Sequence, residues 1–224
     1  MNAACFLIAQ RMANINTIQV VKVINSTNSG GLSAVGFVDV QIMVNQVDGA
    51  GNATPHGIIY NVPYTRIQGG TNAVILDPVI GDIGWCAFAQ RDISSVKRTK
   101  KVSNPGSFRL FDYADGVYIG GILNGSPSQY IRFSGDGITL FSPTAVTITA
   151  PTVQIGATDS VVIDSPLIAL AGQVTQVQGS GSSGDVSMTG PVNVSNDVVA
   201  GGKSLEGHVH SGVEVGSSDT GPPV

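Results

Sequence analysis

Ala145-Val146-Thr147-Ile148-Thr149, Thr152-Val153-Gln154-Ile155, Ser160-Val161-Val162-Ile163-Asp164 and Val174-Thr175-Gln176-Val177-Gln178 succeed one another in the second half of the chain. Each is a short run rich in β-branched residues, and the runs recur at a spacing of roughly 8–10 residues. Small turn residues punctuate them: Pro143, Pro151, Gly156, Pro166 and Gly172. Branching at Cβ resists helix and suits a pleated surface. Segments this short, and this apolar on one face, are unstable alone and must stack on neighbours. The inward candidates are Val, Ile, Ala and Thr, and no Phe, Tyr or Trp occurs from Ser142 to Val224, so the core they fill is narrow. A single-chain solenoid would usually hold larger side chains. Three chains wound about a common axis supply a narrow core and leave no strand edge exposed. The pattern predicts an intertwined trimeric β-helix or β-prism needle over residues 107–200.

Towards the C-terminus the chain reads Gly207-His208-Val209-His210-Ser211-Gly212, then Asp219-Thr220-Gly221-Pro222-Pro223. Residues two apart in a strand point to the same face, so His208 and His210 aim together. Three copies about an axis on that face gather six imidazoles, an octahedron with no vacant position. Imidazole suits several transition metals, but zinc favours four ligands, and six-coordination tilts the choice to one iron ion per trimer. Gly207, Ser211 and Gly212 allow three backbones to crowd at a point. A closed shell leaves no place for substrate or activated water, so the metal would pin the tip without catalysing. Residues 201–224 are therefore read as a metal-binding apex.

Towards the N-terminus, residues 31–106 read as a small antiparallel, OB-like barrel. Val38-Asp39-Val40-Gln41-Ile42-Met43-Val44 alternates with period two, and Asp48-Gly49 and Gly51-Asn52 carry hairpin chemistry. Ile58 to Tyr64 is a second strand, whose Pro63 marks an edge or an end. Asn72–Leu76 and Gly84–Gln90 follow, and Trp85 and Phe88 are expected to pack in the barrel core, with a chain interface as the alternative. Residues 1–30 form an N-terminal arm: a short amphipathic helix around Phe6-Leu7-Ile8-Ala9-Gln10-Arg11-Met12, then alternation from Thr17. Lys97–Lys101 is read as a solvated loop, and Cys5 and Cys86 as small apolar fillers.

Composition narrows the function. The net charge is −4 and only 12% of residues are charged, with the cations crowded before Phe111 and only Arg132 and Lys203 beyond it. Nucleic-acid binding wants a basic stripe with aromatics, which the second half lacks. Glycan hydrolysis needs paired carboxylates, generally beside aromatics, whereas Asp159, Asp164 and Asp185 lie scattered near turns. No Gly-x-Ser-x-Gly elbow, phosphate loop or His-Glu-x-x-His occurs. No apolar run reaches the ~18 residues of a membrane span, and the N-terminus lacks the basic start of a signal peptide, so synthesis in a cytoplasm is expected. The chain reads as all-β, non-enzymatic, with no nucleic-acid partner and no small-molecule substrate.

Two motifs in this order carry a resemblance. Ile67-Gln68-Gly69-Gly70, Asp77-Pro78-Val79-Ile80-Gly81-Asp82-Ile83-Gly84-Trp85 and Ala87-Phe88-Ala89-Gln90-Arg91-Asp92-Ile93 look like an OB-domain pattern, and Gly-His-x-His-x-Gly with a later Thr-Gly-x-Pro like a tip motif. Together they are similar to the central spike (baseplate assembly protein V-like) family of contractile-tailed bacteriophages. The insertion Val213-Glu214-Val215 departs from the usual tip. The resemblance implies a homotrimer, a collar attached to the tail hub or baseplate, and iron held by His208 and His210 of each chain. It also implies a place at the virion's baseplate tip, and puncture of the host outer membrane on sheath contraction. Calcium or other ions along the shaft axis are compatible with that architecture. The alternative is a trimeric receptor-binding tail fibre or adhesin, which would share the shaft but generally ends in a broad, aromatic head.

Overall fold

The computed structural model describes residues 3–13, 15–177, 186–212 and 216. Val213–Val215, Asp185 and the Asp219–Pro223 motif lie outside the described residues. The chain divides into two compact units, Met1–Ala150 and Pro151–Val224.

Period-two alternation sets the first unit. In β1 (Ile18–Ser26) Val21 and Val23 turn inward; in β2 (Phe37–Ile42) Val38, Val40 and Ile42 do the same. The two strands pair antiparallel with Val21 opposite Ile42 and Val23 opposite Val40, and the register slips between Val23 and Asn25. The short strands β3 (Gln46–Val47) and β4 (Ala53–Thr54) form a side hairpin. Its turn is closed by Asp48, whose carboxylate accepts the Ala50 and Asn52 N–H groups. Strand β5 (Ile58–Pro63) then joins β2, and Pro63 ends it on the sheet edge, where a missing N–H costs no ladder bond.

A second side hairpin, β6 (Ile67–Gly69) with β7 (Asn72–Val74), precedes β8 (Ile83–Phe88), which pairs with the free side of β1. Helix α2 (Ser94–Thr99) follows and stops at Lys100, which is left-handed at φ 57° and donates its N–H to Val96 O. A single 3₁₀ turn at Tyr113–Asp115 leads into β9 (Gly116–Gly121), which pairs with β8. The order is β5-β2-β1-β8-β9. The sheet curls until its two ends meet: Tyr64 forms a parallel bridge to Tyr118, and Thr65 donates its N–H to Tyr118 O at 2.8 Å. The result is a curled half-barrel around Val21, Val23, Val38, Val40, Val62, Cys86, Phe88 and Tyr118. Only glycine fits at position 84, because a Cβ there would lie 2.2 Å from Gly120 O and 2.4 Å from the Tyr118 hydroxyl oxygen.

Two ion clusters lock the half-barrel's connections. Asp77 accepts from the Tyr64 hydroxyl (2.6 Å), the Gly30 N–H (2.9 Å) and Arg66, which also donates to Ser33 O. Burial pushes the Asp77 carboxyl up, but the Tyr64 and Arg66 bonds outweigh it and hold the group below its ordinary value. Arg109 spans two buried carboxylates, Asp115 (2.6 and 2.9 Å) and Asp92 (3.0 Å), and so ties the 94–110 segment to the sheet.

Beyond β9 lies the hairpin β10 (Tyr130–Ser134) with β11 (Gly137–Phe141), in which Tyr130 stacks on Phe141 at 5.4 Å. From 142 to 177 no residue joins a strand, and Val146, Ile148, Val153 and Ile155 are more than half exposed.

Several expectations change. The half-barrel takes its central strand, β1, and its end strand, β9, from outside 31–106, because the alternation starting at Thr17 continues the sheet. Trp85 does not pack in the core: it alternates with Cys86 and Phe88 and stands 38% exposed on the outer face. Cys86 is the buried filler expected, whereas Cys5 is exposed on helix α1 (Ala3–Ala13). Lys97 and Arg98 belong to α2, not to a loop. Among the described residues no helix is long and apolar enough to cross a membrane.

Candidate metal centre

The second unit builds its site on a tight hairpin. Strands β12 (Val199–Ala200) and β13 (Lys203–Ser204) are joined by Gly201-Gly202, with φ 56° and 78°. Both turn residues need φ > 0 in the reversal that matches strand twist, and glycine supplies it without a Cβ penalty. Asp197 braces the exit from the hairpin: its Oδ1 accepts the Leu205 N–H at 3.1 Å and the Glu206 N–H at 3.0 Å. The Ser204 hydroxyl, then the Glu206 N–H, hold the Asp197 carboxyl below its usual range. Ser204 Oγ in turn accepts the Gly207 N–H at 2.7 Å.

These bonds fix the backbone two residues ahead of the histidines. Leu205 O lies 2.9 Å from His208 Nδ1, so that nitrogen carries the proton and donates it. With Nδ1 turned to that carbonyl, Nε2 is the ring nitrogen left to face a metal. The His210 ring stands with its centroid 5.0 Å from that of His208, at 75° to it. Both rings are exposed. Residues 208–210 are not strand, so their proximity rests on the braced turn and not on a pleat.

What this arrangement holds is limited by count. Among the described residues no group of three His, Cys, Asp or Glu side chains converges in a way that could hold a metal. Two imidazoles from one chain make half of a tetrahedral shell and a third of an octahedral one, so a filled shell needs ligands from beyond this pair. The donor set, two imidazoles with one ring oriented by a backbone carbonyl, fits a first-row transition metal. The remaining histidine, His56, sits in the first unit with its ring edge against Tyr113 at 5.7 Å.

Sequence reading missed the clusters around Asp77 and Arg109. Their members are polar residues in separate segments, and the Arg-Asp pairs fall 11, 6 and 17 residues apart without a repeat that would flag them. Their bonds are directed inward at one another, which makes them structural. A surface cleft of about 710 Å³, bordered by Leu32, Arg66, Asn72 and Lys100, carries no carboxylate or imidazole in its wall. Comparison with protein-family models gives no match to this chain, and no curated protein matches it.

Proposed function

We propose that this chain is the central spike of a contractile phage-type tail, a structural and non-catalytic virion protein. In this reading an OB-like collar docks on the tail hub or baseplate and three chains wind into a β-helical needle. One iron ion held by His208 and His210 of each copy closes the point. Sheath contraction drives the needle through the host outer membrane. The observation that carries the proposal is the pairing of His208 and His210, the first held by a backbone carbonyl, in a chain whose apolar residues from 146 to 155 stay exposed among the described residues. A closed six-imidazole shell has no substrate position, which suits a pin better than a catalyst.

Two further features support it. The half-barrel order β5-β2-β1-β8-β9, with a parallel bridge from the end of β5 to β9, is compatible with OB topology. The row of exposed Val and Ile from 146 to 155 is what a narrow inter-chain core would cover.

Elemental analysis with the absolute mass in solution tests the proposal. About one iron per three chains in a trimer, lost in His208→Ala and His210→Ala, is the expected result. A metal-free trimer favours the adhesin reading instead. A metal-free monomer refutes the architecture.

A further inference from the structure

Two apolar surfaces in the first unit lie open. Helix α1 carries Cys5, Ile8, Ala9 and Met12 at positions i, i+3, i+4 and i+7, one face of a 3.6-residue helix, flanked by Phe6 on one side and Arg11 on the other, with Leu7 on the far side. Every residue from Ala3 to Met12 is exposed, including Phe6 at 55%, Ile8 at 58% and Met12 at 65%. The second surface is the outer face of the half-barrel. Register places Ile18, Ala87 and Val117 in one row across β1, β8 and β9, and Val20, Trp85 and Gly120 in the next. Ile119 flanks them at 48% exposure, and neither row contains a charged side chain.

The chain does not close these surfaces on each other. The root of α1 is tied to the half-barrel: Ile15 donates its N–H to Met12 O, Asn16 Nδ2 bonds Phe111 O at 2.8 Å, and Thr17 O accepts the Phe88 N–H at 2.8 Å. From that fixed root the helix keeps its apolar face in solvent. Its length, ~16 Å at 1.5 Å per residue, comfortably spans three strands, which are ~10 Å from first to last.

We infer that α1 of one copy lies across the β1-β8-β9 outer face of the next copy, a head-to-tail clasp that closes into a ring of three. Each copy offers one helix and one sheet face, so a ring leaves neither open, whereas a foreign partner would have to cover both. A contact of two different surfaces forms a ring when its rotation closes. Helix and sheet face together remove on the order of 800 Å² from water, about half of a standard two-body interface. The clasp is therefore too small to hold copies together alone, and it rests on the three-copy assembly proposed above.

Cys5 makes the contact testable in the full chain. In the Ile119→Cys and Ala87→Cys variants, mild oxidation should give covalent dimers and closed trimers on a denaturing gel. Each chain then offers Cys5 to one neighbour and the new thiol to the other. Adding Cys5→Ser should abolish the ladder. Ile8→Asp should shift emission of Trp85, the sole tryptophan, to the red in a protein whose half-barrel stays folded. A trimer that yields only an intrachain disulfide overturns the inference, because the helix then folds back on its own sheet. A trimer with no disulfide and unchanged Trp85 emission overturns it too, and leaves the spike reading standing. A monomeric wild-type protein removes both.

Discussion

Replacing Arg109 by Met keeps the length of the side chain and removes the charge that two buried carboxylates share. Asp115 is fully buried and takes both of the close bonds, 2.6 and 2.9 Å, leaving only the Ile93 N–H at 2.9 Å once Arg109 is gone. Breaking one side of a fully buried ion pair costs about 3–5 kcal/mol. The Arg109 side chain is 33% exposed, so water already screens part of the attraction, and the expected loss is about 2–3 kcal/mol at pH 7. Asp92 suffers less, because the Ser94 N–H and the Ser107 hydroxyl remain on it.

The pH dependence gives the sharper test. Burial pushes the Asp115 carboxyl up, but the Arg109 bonds, the Ile93 N–H and the Arg109 charge together hold it below its ordinary value. A depressed carboxyl contributes its stability in full above the unfolded value, near 4, and loses it as pH falls through the folded value. In the variant burial dominates and the carboxyl rises above its ordinary value, so the variant's penalty fades as pH drops towards that range. Urea unfolding at equal protomer concentration, followed by far-UV circular dichroism at pH 7 and pH 4.5, measures both. A difference below about 1 kcal/mol at pH 7, or one that does not shrink at pH 4.5, would refute this account of Arg109.

Three other outcomes are expected. Gly84→Ala drives a Cβ into the Gly120 carbonyl and the Tyr118 hydroxyl, costing about 1–3 kcal/mol or more in the same unfolding assay. Tyr64→Phe removes the bond to Asp77 at 2.6 Å and should cost about 1–3 kcal/mol, read as a lower thermal midpoint. Cys86, whose thiol burial pushes up to about 12, should stay inert to a thiol reagent at pH 8 until urea opens the half-barrel, since the thiolate is the reactive form.

The parts of this fold that rest on local periodicity were legible. Alternation at Val38–Val44 became β2, the Asp48-Gly49 signal became the β3-β4 turn, and Pro63 closed an edge strand. Positions fixed by distant partners were not. Nothing near Gly116–Gly121 says that it pairs with β8, 28 to 37 residues earlier, instead of starting a shaft. The phase of Gly84–Phe88 was ambiguous because both its faces are apolar, and the half-barrel's curl, not hydropathy, turns Cys86 in and Trp85 out. At the candidate metal centre the pair His208/His210 was legible as a spacing. The brace from Asp197 through Leu205 to His208 Nδ1 was not, since it runs through backbone atoms that every residue shares.

The half-barrel is complete at Gly121, while the apolar runs from 142 to 177 have no pairing of their own. On the ribosome this fixes an order of events. At about 5–20 residues per second the runs follow the half-barrel by seconds, and β-rich domains of this kind fold within milliseconds to seconds. Each nascent chain thus presents a finished, foldable head before its sticky tail exists. The inter-chain pairing proposed for residues 142–177 would then begin only after the half-barrel has folded.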